Sequence, residues 1–143
     1  ANQCMAIIDL DTVMPGSVLY DIGDGIRSAC SNSFEDETDK DKIFLNLDLT
    51  KAYLKGFLEE TYSFLTRDEV NYIGLSIKIL TYELAIRFLT DYLNGDTYFK
   101  IKYPLHNKDR FLNQYILLKD IEDKLDEINS FVKTTYNNLK NKK

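Results

Sequence analysis

TRDEVNYIGLSIKILTYELAIRFLTDYLNG, residues 66–95, decides the fold class. Thr66 and Glu69 form a T-x-x-E capping box, in which the threonine hydroxyl and the glutamate carboxylate each satisfy a backbone N–H at a helix start. Gly95 supplies the residue at which a helix readily stops. Between these signals Ile73, Leu75, Ile77, Ile79, Leu80, Leu84, Ile86, Phe88 and Leu89 spread apolar surface around much of the circumference. The pattern predicts one long helix to Asn94 at the centre of the core.

On the C-terminal side, residues 96–103 form a connector rich in aromatic and β-favouring residues, closed by Pro104. Asn107 is then expected to cap a last helix, whose Leu118, Ile121, Leu125, Ile128 and Val132 recur at alternating spacings of three and four. This packing seam suits the preceding helices better than a dimeric coiled coil. Asn and Lys dominate residues 133–143, which are expected to fray. On the N-terminal side, Asp48 or Thr50 opens a helix to about Leu65, burying Leu54, Phe57, Leu58, Tyr62 and Leu65. Before it, SNSFEDETDKDK (31–42) has no period and reads as an exposed loop. Leu19, Ile22, Ile26 and Ala29 predict a short buried helix over 18–30, capped by Ser17 after the Pro15-Gly16 turn and tolerating Gly23 and Gly25. The run Met5, Ala6, Ile7, Ile8 reads as a buried strand that delivers Asp9 and Asp11 into that turn. The expected fold is therefore mainly α with a short β element at the N-terminus, in one domain spanning 1–143, with no internal repeat.

Composition narrows the function. With 143 residues, 44% of them hydrophobic, and ten Tyr with eight Phe, the chain can bury a core. A formal charge of -5 opposes binding to nucleic acid. No apolar run approaches membrane-spanning length and no signal peptide opens the chain. Cys4 and Cys30 form neither a disulfide framework nor a zinc pattern, so a reducing, cytoplasmic setting is expected. The apolar run begins within a few residues of Ala1, which leads us to expect a piece of a longer protein.

Two carboxylates at a strand end repel one another unless a cation or solvent compensates them, so Asp9 and Asp11 read either as a Mg²⁺ site or as plain turn residues. The longer string IDLDTVMPGSVLYDIGDGIR, residues 8–27, resembles the segment after the catalytic loop of aminoglycoside-phosphotransferase-like kinases. IDLDTVMPG (8–16), YDIGDGIRS (20–28) and IRFLTDYLNGDTYFKIKYPLHNKDRFLNQY (86–115) are similar to the N-acetylhexosamine 1-kinase branch. The likeness extends to about Glu122, and implies the C-terminal lobe of a protein-kinase-like fold that uses Mg²⁺ and ATP. It also implies roles: Asp9 as the metal ligand, Asp21 as structural support of the catalytic loop, and Asp11 as a carboxylate facing the substrate. Many relatives have glycine where Asp11 stands.

Arg87, a cation in an apolar helical stretch, is a candidate sugar or phosphate contact, or else an ion-pair partner of Asp91 or Glu83. Arg27 poses the same choice beside Asp24. His106 reads as a turn or cap residue and not as a general base. Tyr98, Phe99 and Tyr103 either pack or form a sugar-stacking wall.

Phosphoryl transfer also needs a nucleotide cradle, an anchoring Lys and a base in an H-x-D-x-x-x-x-N loop. The one histidine, His106, continues as Asn107, Lys108, Asp109 and does not match. No catalytic base is therefore assigned within these residues, and the chain by itself is expected to be inactive. Other readings are a free-standing helical interaction module, a kinase acting on another sugar, an aminoglycoside or a choline-like acceptor, and a homodimer formed through exposed helical faces.

Overall fold

The computed structural model describes Met5, Ala6, Ile8, Leu10 and residues 13–141. Within them the chain is mainly helical, with α1 at Val18–Ala29, α2 at Leu47–Thr61, α3 at Arg67–Leu93 and α4 at His106–Lys140, plus a single 3₁₀ turn at Lys40–Lys42. Ser17 caps α1 by accepting from Leu19 N at 3.3 Å, as its position before the apolar period predicts. The capping box of α3 is complete: Thr66 Oγ1 accepts from Glu69 N, and the Glu69 carboxylate accepts from Thr66 N at 2.8 Å.

At its other end α3 closes with Gly95 at φ 86° and Asp96 at φ 58°, and Asp96 N donates to Asp91 O at 2.8 Å. This bond, together with Asn94 N donating to the same carbonyl at 3.1 Å, closes the last turn of the helix. α3 spans about 40 Å at the usual rise. It lies between α1 and α4, while α2 packs on α4. The core gathers Ile22 and Ile26 from α1, Leu54 and Leu58 from α2, Ile73 and Ile77 from α3, and Leu117, Ile121, Ile128 and Val132 from α4. The α4 seam thus packs within the chain, as its spacing predicts.

Several expectations are corrected. Met5, Ala6, Ile8 and Leu10 carry no strand, and Met5, Ile8 and Leu10 are exposed. Among the described residues the one β pairing outside the helices is the bridge between Ser31 and Leu45. A lone strand has no ladder to complete and gains little from forming. Asn107 does not cap α4: the helix begins at His106, with no side-chain cap, and Asn107 is buried inside it. The last helix also continues through the expected frayed tail to Lys140, because Phe131, Tyr136 and Leu139 pack against the core and Tyr136 Oη donates to Leu65 O at 3.3 Å.

The 31–42 segment is irregular apart from the Ser31 bridge and the 3₁₀ turn at Lys40–Lys42, and it is pinned to the body. Asn113 Nδ2 donates to the carbonyls of Phe34 and Glu37, both at 3.0 Å. Finally, α3 is central but not covered all round. Tyr72, Leu75, Ile79, Tyr82 and Ile86, at steps of three and four, remain exposed along one face.

Candidate functional site

The C-terminal third of α3 and the turn that follows it enclose an open groove of roughly 380 Å³, lined among others by Arg87, Thr90, Asn94, Thr97 and Tyr98. Arg87 projects from α3 with its side chain 47% exposed, and its nearest carboxylate is Glu83, one turn back, at 4.0 Å. Its guanidinium carbon instead lies 5.8 Å from the Tyr98 ring centre and 5.4 Å from that of Phe99. Phe99 is fixed in turn against Phe88, with ring centres 4.7 Å apart. Of the two partners expected for Arg87 by helix spacing, Glu83 is the one it meets. Asp91 is engaged elsewhere.

Sequence reasoning offered Asp91 only as an ion-pair partner of Arg87, and the structure gives it other partners. It is buried, and it accepts from Thr97 N and Tyr98 N through Oδ1 at 3.0 and 2.8 Å. Through Oδ2 it accepts from Phe99 N at 2.9 Å and from Asn107 Nδ2 at 2.8 Å. Burial alone pushes this carboxyl up, but the N–H groups of Phe99, Tyr98 and Thr97 together outweigh it and hold the group below its usual range. One signal was present in the sequence: a carboxylate in the last turn of a helix opposes the macrodipole, so it implies donors waiting beyond the helix end.

A second polar cluster lies at the start of α4. The fully buried His106 accepts from Lys102 N at its Nδ1 at 3.2 Å, and its Nε2 faces Asp36 Oδ2 at 3.4 Å. Lys102 Nζ also reaches Asp36, at 2.6 Å, and chiefly through that bond keeps Asp36 below the usual carboxylate range. His106, read from the sequence as a turn or cap residue, stands at the first position of α4 and is a buried tie between the acidic loop, the connector and that helix. Arg27 is likewise buried and structural. Its guanidinium pairs with Asp24 at 2.8 Å and Glu35 at 3.0 Å. Burial raises the Cys30 thiol, a poor setting for a nucleophile.

Asp9 and Asp11 lie outside the described residues, as does Cys4. Asp21 is exposed in the first turn of α1 and is not joined to Arg87. Among the described residues no three or more acidic, histidine or cysteine side chains converge on a position for a metal ion. No helix among them is long and apolar enough to cross a membrane. A second, more apolar groove of roughly 360 Å³ runs between the start of α1 and the middle of α3, lined by Ser17, Tyr20, Tyr72, Leu75 and Ile79 among others. No protein-family model matches the chain.

Proposed function

We propose that this chain is the C-terminal part of an ATP-dependent sugar kinase that phosphorylates the anomeric hydroxyl of N-acetylhexosamines. The observation that carries the reading is the 8–27 string, in which I-D-L-D is followed by Y-D-I, with Asp21 ten residues after Asp11. In support, α1 opens at Ser17, so that Tyr20 and Asp21 fall in its first turn, where a helix-start aspartate belongs. The mainly helical body suits a C-terminal lobe.

In this reading Asp9 would hold Mg²⁺, which supplies charge neutralisation at the transferring phosphoryl group. Asp11 would accept a hydrogen bond from a sugar hydroxyl, and Arg87 would donate to the acceptor. Asp21 would brace the catalytic loop. The base belongs to a segment absent from these 143 residues, since none of them forms an H-x-D-x-x-x-x-N loop. The test is ³¹P NMR of the full-length protein with ATP, Mg²⁺ and a panel of sugars. An anomeric phosphate on N-acetylglucosamine or N-acetylgalactosamine supports the reading, and phosphate only on other acceptors shifts the substrate class.

The exposed face of α3 favours a second reading, a helical interaction module. Tyr72, Leu75, Ile79, Tyr82 and Ile86 form a stripe of the kind that accepts a partner helix or a second copy. Sedimentation of the chain over a concentration series, against Ile79→Asp, tests whether that stripe associates. A monomer at all concentrations removes the second-copy version.

A further inference from the structure

We propose that Asp91 is a positioning residue that sets Arg87 for its ligand, acting through the turn at residues 97–99. The proposal rests on the reading of Arg87 as an acceptor contact. Asp91 lines the same groove as Arg87, yet it cannot itself serve a ligand. Its two oxygens already take four donors, from Thr97, Tyr98, Phe99 and Asn107, at 2.8 to 3.0 Å. Four is about the full acceptor capacity of a carboxylate.

What those bonds hold is the turn that carries the two rings lying against Arg87. The backbone N–H groups of Tyr98 and Phe99 are bonded to Asp91, and their side chains place ring centres 5.8 and 5.4 Å from the guanidinium carbon. Such distances lie within the range in which a cation is attracted to an aromatic face. Phe99 also packs on Phe88, whose side chain is buried, so the turn is fastened at both its backbone and its ring. Asn107 completes the device by donating to both Asp91 Oδ2 and Asp96 Oδ1, at 2.8 and 2.9 Å, which ties the turn to α4.

The guanidinium thereby lies against two aromatic rings, with the Glu83 carboxylate 4.0 Å away as a further contact. A planar fork held in this way presents N–H donors to the groove with part of the ordering cost already met. Asp91 supplies the restraint one step removed, and a ligand meets Arg87, not Asp91.

Two measurements test this. In the chain itself, the Arg87 Nε–Hε resonance should show restrained motion, and this restraint should be lost in Asp91→Asn while core methyl resonances stay in place. Unchanged Arg87 dynamics in Asp91→Asn overturn the proposal, whatever the protein catalyses. In the full-length kinase, Asp91→Asn should raise the acceptor KM about tenfold, with a much smaller effect on kcat and on the ATP KM. In an Arg87→Ala background the same change should add almost nothing to the acceptor KM, because coupled residues are not additive. An equal rise in both backgrounds overturns the proposal, since it would mark Asp91 as a general stabiliser of the lobe. Absence of sugar turnover in the wild type would sink the kinase reading, and the resonance of Arg87 would then decide the positioning role alone.

Discussion

Asp91 and Glu122 are among the carboxylates with depressed pKa that tie the stability of the molecule to pH. Asp91 is held below its ordinary 3.8 by backbone N–H groups that overcome its burial. Glu122 is drawn from 4.5 to about 2 by Lys119 first and then Lys78. Each ionises more readily folded than unfolded, so each contribution is complete above the unfolded pKa and disappears as pH falls through the folded one. Urea midpoints should therefore fall steeply below about pH 4 as these two carboxylates take up protons. Glu122→Gln should lessen that fall, and a slope unchanged in the variant would contradict the pairing. His106 makes a second prediction. Its Nδ1 accepts from Lys102 N, which places the ring proton of the neutral form on Nε2, toward Asp36. Ring ¹⁵N shifts of the neutral imidazole should report that tautomer. His106→Leu should cost about 1–3 kcal/mol by stranding the partners of a buried ring, read from urea unfolding. A cost near zero would show the ring to be incidental.

At the scale of elements, two glycines should respond in opposite ways to the same change. Gly23 lies where α1 crosses α3, and a Cβ there would come 2.8 Å from the Ser76 carbonyl oxygen, which is backbone and cannot move aside cheaply. Gly56, within α2, meets nothing within 4 Å. Gly23→Ala should destabilise by about 1–3 kcal/mol, whereas Gly56→Ala should stabilise by about 0.5–1 kcal/mol through helix propensity. Thermal melts of the two variants check both signs. The helices themselves were legible because their apolar residues recur at three and four, and α3 also announced its start at Thr66 and its end at Gly95. The start of α4 was not, because an asparagine used inside a buried network has the same spelling as one used as a cap. Asn107 is spent on Asp91 and Asp96, and that pairing is visible only once the turn between α3 and α4 is closed. Met5, Ala6 and Ile8 were over-read as strand, since strand propensity is realised only beside a partner strand.

For the whole molecule, periodicity foretold a mainly helical body but not which faces of α3 would be covered. Apolar residues around a helix state how much surface can be buried, and the neighbours decide how much is. Here α1 and α4 cover two sides and leave the stripe from Tyr72 to Ile86 open. Of the residues proposed for a sugar-kinase site, Arg87 lines a groove beside the rings of Tyr98 and Phe99, and Asp21 stands in the first turn of α1. Asp9 and Asp11 are assigned from sequence, and the central claim falls on Asp9. The most direct measurement is ATP consumption by the full-length protein with Mg²⁺ and N-acetylhexosamine, comparing wild type with Asp9→Asn. The account predicts sugar-dependent turnover in the wild type and a loss of at least about a thousandfold in the variant, as expected when a ligand to the catalytic metal is removed. Turnover that survives the substitution would contradict it.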